Sequence, residues 1–279
     1  MASDHILKSY DEELTRLNNA IIRMGGLAES QLADAIQAVV KRDSELAHDV
    51  VEQDHVVDDL DSGIEAQAVR LLALRQPMAR DLREIVSSLK ISSDLERICD
   101  YAANVAKRSI SLNQAPVVKP VFALPRMGKL AQMQIKDVID AYVQRDADKA
   151  MQVWLRDEEL DELYTSLFRE LLTYMMEDPR AITAGTHLLF MAKNIERIGD
   201  HATNIAETIY FLIHGHPLKE SRPKGDHSAS SVVLPPLQGL TENGSAKTDL
   251  LGGNIDQSDR EEEPRARAEE PGSDEGGQA

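Results

Sequence analysis

Apolar residues recur at alternating spacings of three and four along residues 1–214, a pattern that predicts amphipathic helices packed in a bundle. In the first run these positions are Leu7, Tyr10, Leu14, Leu17, Ile21 and Met24. In a second run they repeat every seven residues, at Val50, Val57, Ile64 and Leu71. In another they are Leu188, Ala192, Ile195, Ala202, Ile209 and Ile213. We therefore expect long helices over the whole of this region.

Prolines mark the expected helix ends, because proline lacks the backbone donor and its ring clashes with the preceding turn. They occur at Pro77, in the stretch 116–125 and at Asp178-Pro179. The predicted helices span 4–42, 44–75, 80–112, 126–145, 147–176 and 180–213. This order predicts an all-α fold of two tandem, sequence-related three-helix bundles. The bundles occupy 1–112 and 126–214, and a Pro-rich linker at 113–125 joins them.

Composition and charge narrow the range of possible folds and functions. Aromatic residues make up 4% and hydrophobic residues 42%, a mix that suits packed helices better than a β-sandwich. The formal net charge of −17 disfavours nucleic-acid binding and suits cations or basic protein surfaces. The single cysteine, Cys99, excludes an internal disulfide and a cysteine-based zinc site. The sequence shows neither a signal-peptide pattern nor a run of about 20 apolar residues, so we expect a cytoplasmic protein.

The residues after the last predicted helix have a different composition. The segment 215–279 contains no Phe, Tyr or Trp, and it holds nine of the 15 glycines. Its acidic residues cluster at 259–263 and 269–270. Such a segment buries too little apolar surface to offset the entropy of ordering, so we interpret it as a disordered acidic tail.

The two predicted bundles are similar in sequence, which indicates duplication of a unit of about 100 residues. The stretch 96–106 matches 196–206 at seven of eleven positions. Upstream, a pair of aspartates four residues apart recurs at a shift of 103, at Asp54 and Asp58 and again at Asp157 and Asp161. Each half therefore carries pairs of acidic residues on two neighbouring helices.

In an antiparallel helix hairpin, residues equally distant from the turn lie at the same height, because both helices rise equally per residue. The pairs Asp54–Asp100 and Asp58–Glu96 are both centred on Pro77. The second half groups Asp157 with Asp200 and Asp161 with Glu196, around Asp178-Pro179. We expect four carboxylates in each half, beside the apolar seam at a bundle edge that is open to solvent. One turn further along the same line lie Asn104 and Asn204.

Carboxylates gathered in this way need positive charge, because two of them about 5 Å apart repel by about 3 kcal/mol at an effective dielectric constant near 20. Bound cations or the adjacent Arg97 and Arg197 could supply it. We favour cations, and oxygen ligands of Asp, Glu and Asn suit Mg²⁺, Mn²⁺ or iron. The candidate metal ligands are Asp54, Asp58, Glu96, Asp100, Asn104, Asp157, Asp161, Glu196, Asp200 and Asn204.

Two other readings of these residues stay open. Ferritin-like di-iron proteins place a Glu-x-x-His motif on each of two helices. Here Glu45-x-x-His48 and Glu52-x-x-His55 match that motif, but both lie on one predicted helix and the second half lacks the histidines. A carboxylate-bridged di-metal oxidase is therefore one alternative, and a helical adaptor that binds no metal is another.

The duplicated acidic motifs resemble those of PhoU, the family of bacterial regulators of phosphate uptake. The resemblance lies in the stretches 72–83, 95–100 and 195–207 and covers residues 4–214. It implies two tandem three-helix bundles with metal ions bound on acidic clusters, and a non-enzymatic negative regulator of the phosphate regulon. Among the candidate ligands, it supports Glu96, Asp100 and Asn104, and likewise Glu196, Asp200 and Asn204.

The resemblance also implies partners. PhoU proteins are thought to bridge the phosphate ABC transporter, through a PstB-type ATPase, and a PhoR-type sensor histidine kinase. On this basis we expect a homodimeric adaptor that reaches the membrane only through its partners. The chain departs from the family pattern in its tail, at Cys99, where the second half has Gly199, and at Lys107-Arg108, where the second half has Glu207. The first half is therefore expected to hold fewer ions.

Overall fold

The structure, a computed structural model, describes residues 2–115, 123–220 and 222 of the chain. Within these residues it contains six α-helices and no β-strand. The first bundle consists of α1 (Ala2–Lys41), α2 (Ser44–Arg75) and α3 (Arg80–Leu112). The second consists of α4 (Leu124–Gln144), α5 (Ala147–Glu177) and α6 (Ile182–His214). The predicted all-α fold of two three-helix bundles is confirmed.

The same turn joins the first two helices of each bundle. Arg42 and Arg145 adopt left-handed backbone conformations, with φ angles of 56° and 52°. The aspartates that follow, Asp43 and Asp146, accept hydrogen bonds through their side chains from backbone N–H groups in the first turn of the next helix. Such capping stabilises a helix start by about 1 kcal/mol. The duplication therefore extends to the backbone of this turn.

Proline ends the second helix of each bundle and so sets the hairpin that follows. Helix α2 stops at Arg75, two residues before Pro77. Helix α5 stops at Glu177, and Pro179–Ala181 form a short 3-10 turn before α6 begins. These breaks create the α2–α3 and α5–α6 hairpins, on which all the predicted carboxylate pairs lie.

The two bundles share a long interface within one compact unit, which the sequence did not predict. Helices α3 and α6 form the most extensive helix–helix contact among the described residues, and α1 also packs against α4. At the α3–α6 contact the rings of Tyr101 and His201 lie 5.6 Å apart between centroids. Because these residues occupy equivalent positions in the two repeats, the halves face each other through matching surfaces.

Glycine allows α1 and α4 to approach closely. A Cβ atom at Gly25 would lie 2.6 Å from the side chain of Ile139, and one at Gly128 would lie 2.5 Å from that of Ile36. The two glycines are 103 residues apart, and so are the two isoleucines. One contact is therefore the copy of the other, and each glycine is required for space rather than for flexibility.

The beginning of the predicted tail contacts the helices. Gly215 ends α6 in a left-handed conformation with a φ of 80°. Leu218 packs against the hydrophobic core. Arg222 forms ion pairs with residues of α5 and α6. These contacts at 215–220 and Arg222 differ from the disorder expected from Gly215 onward, because one apolar residue and one ion-paired arginine hold an otherwise polar segment against the helices.

Parts of two predicted segments lie outside the described residues. These are residues 116–122 of the linker and residues 221 and 223–279 of the tail. Disorder of that part of the tail stays a prediction. In the described part of the chain, no helix combines the length and apolar character needed to cross a membrane.

Candidate functional site

Four carboxylates meet across the α2–α3 hairpin, and we call them the first cluster: Asp54, Asp58, Glu96 and Asp100. Burial raises the pKa of Asp54, and the negative charges of Asp100 and Asp58 raise it further. Burial also raises the pKa of Glu96, and Asp100 and Asp58 again add to the rise. A negative charge raises the pKa of a carboxyl group in this way when the two groups lie close together. The hairpin therefore brings together the residues that the spacing selected.

Arg97 partly neutralises the first cluster. Its guanidinium lies 3.2 Å from a carboxylate oxygen of Asp100 and 3.6 Å from one of Glu96. More than half of the Arg97 side chain is exposed, so water and salt weaken both ion pairs to about 1 kcal/mol or less. Asp58 is exposed and the other three carboxylates are half-buried. A dissolved cation can reach this cluster from solvent.

The α5–α6 hairpin holds the second cluster, which consists of Asp157, Asp161, Glu196 and Asp200. Asp157, Asp161 and Glu196 are only 0%, 3% and 4% exposed. The expectation of an edge site open to solvent is therefore wrong for this half. The reason is that Gln134 of α4 and Arg222, from beyond α6, both lie against the carboxylate of Asp157.

Enclosure changes the protonation of Glu196. Burial raises its pKa to about 7, and the charges of Asp200 and Asp161 act in the same direction. The ammonium group of Lys193 opposes the rise by donating a hydrogen bond of 2.9 Å to Oε1. Oε2 is buried and accepts no hydrogen bond from the residues that the structure describes. A buried oxygen without a donor is destabilising unless a cation or water satisfies it.

A glutamine accompanies each cluster. The Nε2 atom of Gln31 on α1 lies 3.5 Å from Oδ1 of Asp54, and that of Gln134 on α4 donates to Oδ1 of Asp157 at 3.3 Å. The Oε1 atoms of both glutamines are buried and accept no hydrogen bond within the described ranges. The glutamines are 103 residues apart, as the two aspartates are. Comparison of the halves position by position would have found them, whereas the search for acidic residues missed them.

A cation from beyond α6 lies in the second cluster. The Arg222 guanidinium forms an ion pair with Asp157, and its Nη2 atom lies 2.6 Å from Oδ1 of Asp200. Only 13% of the Arg222 side chain is exposed. Burial raises the pKa of Asp157, and Arg222 opposes that rise. Sequence reasoning missed Arg222 because it lies in the segment interpreted as a tail and has no counterpart in the first half.

The lack of a side chain at Gly199 lets residues of α4 and α5 approach α6 closely at the second cluster. A Cβ atom there would lie 2.7 Å from Oδ1 of Asp157 and 3.0 Å from Oε1 of Gln134. The equivalent residue of the first half is Cys99, which is buried. Burial raises the pKa of the Cys99 thiol, so it stays protonated at neutral pH. At this point the two clusters differ in how closely neighbouring side chains can approach the last helix of the bundle.

The two candidate asparagines have different surroundings. Asn204 is exposed, and its Nδ2 atom donates a 3.3 Å hydrogen bond to Oδ1 of Asp94 on α3. The same oxygen lies 2.8 Å from Nδ1 of His201. The amide of Asn204 thus points to the opposite half of the molecule, while Asn104 is half-buried one turn beyond Asp100. A role for either asparagine as a metal ligand stays a prediction.

The donors fit a hard cation in chemistry, but their present arrangement does not enclose one. Carboxylate and amide oxygens are the ligands that Mg²⁺, Mn²⁺ and iron accept. The unsatisfied oxygens of Glu196 and Gln134 favour a ligand at the second cluster. Across the described ranges, no group of three or more His, Cys, Asp or Glu side chains is arranged to hold a metal ion. Metal binding would therefore require side chains to move, and Arg222 above all.

The residues of the rival di-metal motif are placed elsewhere. Glu45, His48, Glu52 and His55 all lie on α2, and all four are exposed. In di-iron bundles the ligands project from different helices into the bundle core. The two Glu-x-x-His motifs do not form such a centre.

One family model matches both halves of the chain. It is the PhoU domain, which matches residues 21–109 and 124–209. Two relatives carry the name phosphate-specific transport system accessory protein PhoU homolog. The one from Caulobacter vibrioides is 56% identical over 225 residues, which cover 80% of this chain and 98% of that protein. The one from Rhizobium meliloti is 50% identical over 231 residues, which cover 82% of this chain and 98% of that protein.

Solved structures agree with the fold. The crystal structure of PhoU from Pseudomonas aeruginosa has a TM-score of 0.72 and 40% identity, and it covers 74% of this chain and 100% of that chain. The phosphate transport system regulatory protein PhoU from Streptococcus pneumoniae has a TM-score of 0.70 and 31% identity, with 76% and 100% covered. Together with the duplicated acidic hairpins, these matches establish that the chain belongs to the PhoU family.

Proposed function

We propose that this protein is a negative regulator of the phosphate regulon and of phosphate uptake. It acts as a cytoplasmic, homodimeric adaptor between a PstB-type ABC transporter ATPase and a PhoR-type sensor histidine kinase. When phosphate is plentiful, the docked adaptor favours the inactive or phosphatase state of the kinase. The proposal is supported by relatives that are named as accessory proteins of phosphate transport, one of them 56% identical. The protein acts by docking rather than by catalysis.

The observation that carries the proposal is the repeated acidic hairpin within a PhoU-family fold. In both halves, carboxylates from two helices are held close enough to raise one another's pKa. A fold that keeps repelling groups together loses stability, which is characteristic of a binding function rather than of a structural one. The net charge of −17 makes cations and basic protein surfaces the ligands that suit this chain.

We further propose that both clusters bind a divalent or trivalent ion, of Mg, Mn or Fe. At the first cluster the ligands are Asp54, Asp58, Glu96, Asp100 and Asn104. At the second they are Asp157, Asp161, Glu196, Asp200 and Asn204. When bound, the ion supplies positive charge that offsets the repulsion among the carboxylates. The glutamine beside each cluster orients the aspartate of its neighbouring helix.

Deletion of the gene tests the regulatory role. We expect alkaline-phosphatase activity to rise in phosphate-rich medium, because the kinase is no longer restrained. A plasmid copy of the wild-type chain restores repression. Unchanged activity in the deletion strain contradicts the proposed function.

Complementation with variants tests the role of the clusters. The double variant Asp54→Asn/Asp58→Asn removes two charges of the first cluster, and we expect it to leave the deletion strain derepressed. The matched control is Glu45→Gln/Glu52→Gln, which removes two charges from exposed positions of the same helix. Full repression by both double variants would show that the first cluster is not needed for regulation.

Binding experiments test the adaptor role. The purified full-length chain, immobilised, should retain a PstB-type ATPase and the cytoplasmic part of a PhoR-type kinase from the same bacterium. Because the chain is strongly acidic, the retention should weaken as salt is raised. Retention of neither partner at low salt contradicts the adaptor model.

Arg222 favours a second candidate, a regulator that uses its own arginine in place of a metal ion. In that case the second cluster needs no external cation. Metal analysis of protein purified without chelator separates the two candidates. About one or more equivalents of metal per chain supports the metal-binding regulator, and less than about 0.1 equivalent supports the metal-free one.

A further inference from the structure

The segment after α6 lies back along the helices. The ring of His216 lies 5.7 Å from that of Tyr210, between centroids. Leu218 packs against the core and lines a groove of about 740 Å³ formed by α3 and α6. We call residues 215–220 together with Arg222 the strap. It leads from the end of α6 to the second cluster.

The length of the strap closely matches the distance that it covers. From Asp200 to His214, helix α6 rises about 21 Å at 1.5 Å per residue. The eight residues from 215 to 222 reach about 27 Å when fully extended. A segment shorter by three residues would span only about 17 Å, too little for its backbone to return to the level of Asp200.

Arg222 holds a position that suits a metal ion. It bridges Asp157 on α5 and Asp200 on α6, the two carboxylates that the hairpin places at one level. Arg222 and the second cluster leave hydrogen-bonding atoms of each other unsatisfied. Oε2 of Glu196 and Oε1 of Gln134 have no donor, and Nε of Arg222 has no acceptor, among the described residues. A metal ion accepts several oxygens around one point, which a planar guanidinium cannot do.

We propose that Arg222 is a tethered counter-ion that competes with a metal ion for the second cluster, so that metal binding there releases the strap. This inference rests on the proposed binding of metal by the second cluster. Because one position cannot hold both cations, each lowers the apparent affinity of the other. Arg97, the cation beside the first cluster, is more than half exposed, so the first cluster fills at lower metal concentration.

Release of the strap changes a surface as well as a charge. The groove between α3 and α6 is lined mostly by polar and charged residues, with Leu89 and Phe211 as the apolar side chains of the two helices, and Leu218 of the strap forms part of its wall. When the strap leaves, that wall is removed and the groove widens. The strap thereby links the metal content of the second cluster to a surface that lies between the two halves.

Titration with Mn²⁺ tests the competition directly. The full-length chain carries Asp54→Asn and Asp100→Asn in every sample, so that calorimetry reports the second cluster alone. We expect Arg222→Gln to bind Mn²⁺ about tenfold more tightly than the parent, because the competent state no longer has to displace the arginine. Lys219→Gln removes one charge from an exposed residue of the strap and should change the affinity less than about twofold.

A shortened strap provides a second variant that leaves the net charge unchanged. Deletion of Leu218, Lys219 and Glu220 removes one positive and one negative charge. It also shortens the reach by about 10 Å, so that Arg222 can no longer contact the second cluster. We expect the same gain in Mn²⁺ affinity as for Arg222→Gln.

Hydrogen exchange of the strap provides the independent readout. In the parent chain, saturating Mn²⁺ should raise the exchange of the backbone amides of residues 215–220, and Arg222→Gln should raise it without metal. Equal Mn²⁺ affinities of the parent, Arg222→Gln and the shortened variant overturn the competition. Mn²⁺ binding without any change in strap exchange overturns it as well, and so does the absence of Mn²⁺ binding in every variant. None of these results alters the alkaline-phosphatase test, which decides the regulatory function separately.

Discussion

The Arg97 side chain beside the first cluster is 56% exposed, whereas the Arg222 side chain in the second cluster is 13% exposed. Both clusters descend from one duplicated motif, and in both the hairpin brings the carboxylates to matching levels. They differ in what surrounds them. The first cluster is paired with Arg97, an exposed residue of the same helix as Glu96 and Asp100. The second cluster is paired with Arg222, which lies outside the repeat and is buried against the carboxylates. The spacing of the acids decides where they meet, and residues outside the motif decide how they are neutralised.

A second difference between the halves follows from burial. Glu196, which is 4% exposed, has a pKa of about 7, and its first-half counterpart Glu96 is half-buried and hydrated. Gly199 allows side chains of α4 and α5 to approach α6 closely, whereas Cys99 places a buried side chain at the equivalent position of α3. The second cluster is thus the more strained copy, and the first is the more accessible one.

The largest expected loss of stability concerns the contact between α1 and α4, where the two halves are equivalent. Gly25→Leu and Gly128→Leu each place a side chain where the facing isoleucine already lies within 2.6 Å. We expect each variant to lose about 3 kcal/mol of unfolding free energy, measured by urea denaturation. The control is Gly26→Leu, since a Cβ atom at Gly26 meets nothing within 4 Å. A loss in only one of the two variants would show that α1 and α4 do not pack symmetrically.

The next prediction compares the stability effects of removing the charge of buried Glu196 and of half-buried Glu96. At pH 8 Glu196→Gln removes a carboxylate whose pKa burial has raised from 4.5 to about 7. The shift, which already includes the opposing effect of Lys193, corresponds to a gain in stability of about 3 kcal/mol. Glu96→Gln should gain less than about 1 kcal/mol, because water already solvates Glu96. Equal gains would contradict the difference in burial.

The pH dependence of Glu196 has a definite sign. A raised pKa means that the folded state binds its proton more tightly than the unfolded state. The stability difference between Glu196→Gln and the wild type should therefore be small below pH 4.5, grow as the pH rises to about 7, and stay constant above it. Denaturation curves of both proteins at pH 5, 6, 7 and 8 measure it. A difference that shrinks with rising pH would contradict the raised pKa.

A smaller loss of stability is expected when Gly199 and its first-half equivalent Cys99 are each replaced by the residue of the other half. Gly199→Cys places a side chain against Leu160 and Asp157, and we expect a loss of about 1.5 kcal/mol, measured by thermal unfolding. The reciprocal change Cys99→Gly should cost about 1 kcal/mol through lost packing and lower helix propensity. A neutral Gly199→Cys variant would show that the second cluster does not depend on this close approach.

The smallest effect on stability is expected at Asn204. Its amide is exposed and donates to Asp94, so Asn204→Ala should change stability by less than about 0.5 kcal/mol. The proposed ligand role requires the amide to turn from Asp94 to the ion, so the Mn²⁺ affinity of Asn204→Ala, measured by calorimetry, should fall about tenfold. A change of less than about twofold would show that Asn204 is not a metal ligand.

The sequence was sufficient for the helices and for the meeting of the acids. Heptad-like apolar spacing and the breaks at Pro77 and Pro179 act locally along the chain, so they can be read without a structure. The pairing of Asp54 with Asp100 needs only the equal rise of two helices. Such features follow from geometry that every helix hairpin shares.

Other features depend on contacts between distant parts of the chain. The burial of the second cluster depends on Arg222, which follows the last helix in a polar segment with no apolar periodicity. The α3–α6 interface depends on how two complete bundles pack, which a pattern within either bundle does not specify. Gln31 and Gln134 lie between these cases, because the repeat places them at equivalent positions but a neutral amide does not by itself mark an acidic site.

Anomalous diffraction from crystals grown with Mn²⁺ tests the central claim. This claim is that both acidic hairpins are cation sites and that Arg222 competes with the metal ion at the second. At low Mn²⁺ concentration the account predicts an anomalous peak among Asp54, Asp58, Glu96 and Asp100, with Arg222 still bridging the second cluster. At high concentration it predicts a second peak between α5 and α6, with Arg222 displaced. Absence of a peak from both hairpins at saturating Mn²⁺, or a second peak with Arg222 still in place, would contradict it.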